Sequence, residues 1–86
     1  MRRDPEFFGE KELTLVYIAK KLKESLAVEK ALESAQLDFA VEVDYYTGGL
    51  LFRSERAGAF FYVEAEFRDR AAEQLRASGY SPQQDQ

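Results

Sequence analysis

Two stretches of strict alternation constrain this chain more than anything else in it. In the first, Phe39, Val41, Val43 and Tyr45 are interleaved with Ala40, Glu42, Asp44 and Tyr46; in the second, Ala59, Phe61 and Val63 are interleaved with Phe60, Tyr62 and Glu64. A period of two sends successive side chains to opposite faces of a strand, so both segments commit to a sheet with a buried face. Between them, Thr47-Gly48-Gly49 supplies residues that tolerate positive φ, which makes a hairpin turn followed by a return strand over Leu50 to Arg53. Ser54-Glu55-Arg56-Ala57-Gly58 reads as a second turn before the 59–64 strand.

The flanking sequence supplies the second layer. Leu13 to Ile18 is an apolar, β-branched run of strand length, too short for a buried helix. From Lys20 to Gln36 strong helix formers dominate, with Leu22, Leu26, Val28, Ala31, Leu32 and Ala35 as the apolar stripe; a start at Ser25, its hydroxyl capping the first turn, is the alternative. Glu66 to Ser78 repeats the pattern through Phe67, Ala71 and Leu75, with Gly79 placed to cap the end and Tyr80 to fold back over it. The order is strand, helix, strand, strand, strand, helix. Right-handed crossovers then give an α+β, ferredoxin-like two-layer sandwich, an antiparallel-rich sheet with two helices on one face. The expected core is Leu15, Val16, Leu26, Leu32, Val41, Val43, Phe61, Val63, Phe67 and Leu75. Residues 1–12 read as a flexible N-terminal arm with Phe7-Phe8 as its anchor, 13–80 as the single domain, and 81–86 as a disordered tail.

At 86 residues there is room for one core only. The absence of both Cys and His removes disulfides, zinc and iron–sulfur sites, Ser-His and Cys-His catalysis and imidazole switching together. No cofactor, metal or catalytic residue is expected, and the protein reads as a non-enzyme. Twelve basic and 16 acidic side chains leave a net charge of −4, which disfavours phosphate-backbone binding. No run of 18 apolar residues crosses a membrane, and cytoplasmic localisation is the expectation. Val16-Tyr17-Ile18-Ala19 and Arg56 to Val63 faintly resemble the paired aromatic motifs of RNA-recognition domains. Glu42, Asp44 and Glu64 share the aromatic face, however, and would repel a phosphate chain.

A broader resemblance is carried by Glu29-Lys30-Ala31-Leu32-Glu33-Ser34-Ala35, Leu37, Val41-Glu42-Val43 and Val63, leading to Asp69-Arg70-Ala71-Ala72-Glu73-Gln74-Leu75. These pieces resemble a family of small prokaryotic signal-transducing proteins of uncharacterised function, with ferredoxin-like or PII-like folds. The resemblance spans roughly residues 13–79 and implies a bacterial binding or regulatory domain without catalytic residues. Gln36 stands where that family usually has a helix-closing Gly.

Two candidate sites follow. On the sheet face left without helices, Tyr46, Phe60 and Tyr62 with Glu42, Asp44 and Glu64 form an aromatic–acidic patch. Soluble monomers seldom leave such patches idle, so a partner is expected there: a second copy in a homodimer, or another protein. The competing expectation is that the Phe7-Phe8 arm folds over the patch. The three acids could also meet as a hard-metal site, although solvated surface carboxylates are the simpler reading. The second site is basic, with Arg53, Arg56 and Arg68 around the hairpin loop and the second helix start, suited to a small anionic ligand.

Overall fold

The computed structural model describes residues 1–48 and 54–83, and the side chains of all of these except 45–48 and 54–56. A short 3-10 turn, Pro5–Phe8, precedes β1 (Leu13–Ala19), α1 (Leu22–Ser34), β2 (Ala40–Gly48), β3 (Ser54–Glu64), a second 3-10 turn (Ala65–Phe67) and α2 (Arg68–Ala77). The sheet order is β1-β3-β2, with β3 antiparallel to both neighbours. β1 and β2 are therefore parallel, and α1 makes the crossover between them. This is a ferredoxin-like α+β sandwich built on three described strands.

Residues 54–58 are strand and not a turn. They continue β3 in unbroken register with β2, from Gly48 opposite Ser54 to Asp44 opposite Gly58. Turn-forming composition loses here to the hydrogen bonding of a long ladder, which each added pair extends at no further cost in chain closure. The return strand expected over Leu50 to Arg53 lies outside the described residues.

One core lies between the helices and the sheet. Val16 and Ala19 of β1, Val28, Ala31 and Leu32 of α1, Phe61 and Val63 of β3, and Ala71 and Leu75 of α2 are buried together with Leu37 and Phe39. The rings of Phe39 and Phe61 sit 6.0 Å apart, tilted by 37°. A register shift between Leu15 and Tyr17 marks a bulge at Val16, and both Val16 and Tyr17 belong to the helix side as a result. Leu15 pairs with Tyr62 on the opposite face; it is half-buried and not part of this core. Val41 and Phe67 pack at the margin, whereas Leu26 and Val43, both expected inside, are exposed.

α1 opens at Leu22 after Lys21, which makes no side-chain capping bond, and Ser25 lies within the helix. The Glu24 carboxylate accepts from the Lys20 amide, one residue before the cap, at 3.0 Å. Both helices close with the paired bonds of a Schellman turn. Leu37 donates to the Leu32 carbonyl and Gln36 to that of Glu33, while Tyr80 donates to Leu75 and Gly79 to Arg76. The left-handed residue is Gly79 (φ +88°) in α2 but Gln36 (φ 58°) in α1. Tyr80 folds back as expected and meets Tyr17 edge-on, 5.7 Å between centroids.

The two ends of the chain engage the sheet margins. Arg2 bridges to Phe39 in parallel, the Arg3 amide donates to the Phe39 carbonyl at 2.7 Å, and the Arg3 guanidinium binds Asp38 at 3.0 Å. Beyond α2, Pro82 is buried, and the Gln83 amide donates to the Val16 carbonyl at 2.6 Å. That segment lies against β1, where the complete β-α-β-β-α-β arrangement has a fourth strand.

Candidate association surfaces

Strand register sorts the open face into rows. Leu13 stands opposite Glu64; Leu15, Tyr62 and Ala40 form the next row, then Ile18, Phe60 and Glu42, then Gly58 with Asp44. Phe60, Tyr62, Glu42, Asp44 and Glu64 thus share one face, as the alternation predicts. Tyr46 pairs with Arg56 along the ladder, and its side chain lies outside those described.

The rows differ in what covers them. The N-terminal arm starts beside Phe39 at the β2 edge and enters β1 at Leu13 on the other edge, so it must pass the Glu64 end of the sheet. There Phe8 is 3% exposed while its neighbour Phe7 is 53% exposed, and Ala40 and Glu64 are buried as well. Lys11 pairs with the Glu64 carboxylate at 3.2 Å. Glu64 is therefore engaged with the arm and does not face solvent with Glu42 and Asp44, which are exposed. Toward the hairpin, Ile18 and Phe60 are half-buried, with no helix on their side. Burial pushes the Tyr62 phenol above its ordinary range, aided by the nearby carboxylates of Glu42 and Asp44. It stays a neutral hydrogen-bond donor through the physiological range. No cluster of three metal-ligating side chains occurs among the described residues.

The basic site is divided by the fold. Arg53 lies outside the described residues, and of Arg56 only the backbone is described, far along the hairpin. Arg68 opens α2 beyond the other end of β3 and donates to the Gln83 carbonyl at 2.8 Å. Eight residues of strand from Arg56 to Glu64 amount to about 26 Å, so Arg56 and Arg68 do not share a small ligand.

Leu26 and Val43, expected in the core, form with Leu22 the most exposed apolar region among the described residues. Leu22 is 76%, Leu26 58% and Val43 77% exposed. They line a groove of about 370 Å³ between the first turns of α1 and the helix-side face of the hairpin. Its floor is Val41 with Ala57, Gly58 and Ala59, and Arg2, Lys21 and Glu29 stand at its rim. The signal was present in the helical angles. At about 100° per residue, Ala31, Leu32 and Ala35 cluster within about 60° of Val28, but Leu22 and Leu26 fall about 120° to 160° around.

The chain matches no family model, no curated protein and no solved structure.

Proposed function

We propose that this protein is a non-enzymatic bacterial association module of signalling or regulatory type, working in the cytoplasm. Its surface for another protein is the uncovered part of the open sheet face around Ile18, Phe60 and Tyr62. The observation that carries this reading is the row order: apolar Ile18 and Phe60 lie in register with exposed Glu42, and Asp44 follows one row further out. Such a face suits an apolar partner surface fringed by Lys or Arg, with the carboxylates setting orientation and encounter rate. The resemblance to small signal-transducing proteins points to the same class. A small anionic ligand at Arg53, Arg56 and Arg68 is the weaker reading, since the fold separates Arg56 from Arg68.

Affinity capture from the native extract, comparing wild type with Phe60→Ser/Tyr62→Ser, tests the surface. The double variant is expected to lose the proteins that wild type retains, with circular dichroism unchanged. Equal retention by a folded variant assigns association to some other surface.

A further inference from the structure

We infer that the groove beside α1 is occupied by a second copy of this chain, in a two-fold dimer whose seam is α1 against α1 running antiparallel. The groove lies on the other side of the hairpin from the open sheet face, and the exposed face of α1 forms one wall of it. Leu22, Leu26, Ser25 and Glu29 all line the groove, and at about 100° per residue they fall within about 100° of one another on the helix surface. Lys21 stands just before the first turn.

That sequence is self-complementary when reversed. An axis passing near Glu24 places Leu22 of one copy against Leu26 of the other, twice by symmetry. The same alignment brings Lys21 within two residues of the second copy's Glu29, again twice; the Glu29 carboxylate also meets Arg2 of its own chain at 3.9 Å. An isologous interface needs this property: each contact between unlike residues is made in both directions. Antiparallel helices pack at about 8–10 Å between axes, so the second α1 comes to lie beside the first, over the hairpin. Its leucines then reach Val43, and the small floor residues Ala57, Gly58 and Ala59 permit close approach. The seam thus covers Leu22, Leu26 and Val43, the three apolar residues that the single chain leaves most exposed in this region. A parallel arrangement would set Lys21 beside Lys21, which repulsion disfavours.

Sedimentation equilibrium over a range of concentrations is the primary measurement. Wild type should rise from one to two chain masses. Leu22→Ser/Leu26→Ser, which changes solvent-exposed positions, should remain monomeric with an unchanged circular dichroism spectrum. Lys21→Glu should weaken the dimer roughly fivefold, two exposed ion pairs being lost, and Lys21→Glu combined with Glu29→Lys should restore it. The chain contains no Cys, so Ser25→Cys, close to the axis, should cross-link with a short bismaleimide while the α2 control Glu73→Cys should not. A wild-type monomer at the highest concentration reached overturns the dimer. A dimer that survives Leu22→Ser/Leu26→Ser, or that cross-links through Glu73→Cys instead, overturns the seam. Neither result touches the open-face reading, which Phe60→Ser/Tyr62→Ser tests separately.

Discussion

The two ends of the sheet are built to different standards. Near Glu64 the strands are enclosed on both faces, by α1 and α2 on one and by the N-terminal arm on the other. Toward the hairpin, β2 and β3 leave that cover, and Val43, Asp44 and Ala57 are exposed. The mismatch is one of length: α1, with 13 residues, extends about 20 Å at 1.5 Å per residue, whereas β3, with 11 residues, extends about 36 Å. A helix needs more than twice as many residues as a strand to span a given distance. The overhanging strands therefore keep alternating, but among the described residues neither of their faces acquires a second layer. Stability is concentrated at one end and accessible apolar surface at the other.

Truncation should expose this contrast most sharply. Phe61→Ala, at a fully buried position, is expected to cost about 3–5 kcal/mol of unfolding free energy. Val43→Ala, on the neighbouring strand, should change it by less than about 0.5 kcal/mol in dilute solution where the chain is monomeric. Urea denaturation monitored by circular dichroism measures both, and comparable losses would mean that the overhang is covered after all.

Smaller effects separate the two helix ends. A Cβ at Gly79 would meet nothing within 4 Å, so Gly79→Ala is charged only for its left-handed backbone, about 1 kcal/mol. Gln36 already bears that strain at the end of α1, and Gln36→Gly should raise stability by up to about 1 kcal/mol in the same urea experiment. Opposite signs are thus expected from two substitutions at equivalent positions. If Gln36→Gly destabilises, side-chain contacts outweigh the backbone there.

The smallest effect is alkaline. Tyr17 is raised by burial, then by the charge of Glu24 and a hydrogen bond to it; Tyr62 is raised by burial and then by Glu42 and Asp44. A phenol raised in the folded state releases its proton first from the unfolded chain, once pH passes its ordinary value of about 10. The unfolded state then binds fewer protons, so stability is complete below that pH and declines above it. Thermal melts between about pH 9 and 11 should show the decline, and Tyr17→Phe and Tyr62→Phe should each remove part of it. A melting profile flat across that window would mean that neither phenol is held neutral by the fold.

The alternation of 39–46 and 59–64 made the sheet legible, and the left-handed cap at Gly79 with the fold-back of Tyr80 was equally clear. What was less legible has identifiable physical causes. Ser54 to Gly58 carry turn-forming residues, yet they lie in a strand because their partners on β2 were already aligned by the pairs that follow. Val43 is apolar in the right rhythm, but rhythm does not specify where a covering layer stops; Leu26 stands off the buried stripe of α1 by its helical angle. The open face was visible as a set of residues, with the return of the arm over it as one of two expectations; the pairing of Lys11 with Glu64 was not visible, since it depends on a long-range contact. The helix wall of the groove was legible in the angles of Leu22 and Leu26, whereas its strand wall depends on relative helix and strand lengths, a comparison that no local pattern contains.

The contact of Gln83 with Val16 bears on how a sheet with unpaired margins avoids polymerising. An exposed strand edge is a template on which any extended chain can add itself. Among the described residues no fourth strand occupies this margin of β1, but the Gln83 amide binds its carbonyl at the bulge and buried Pro82 lies alongside. Proline has no amide hydrogen to offer a further strand, so a segment that resembles the beginning of another strand also brings strand addition to a stop. Opening that segment would convert a satisfied margin into an aggregation-prone one without disturbing the core.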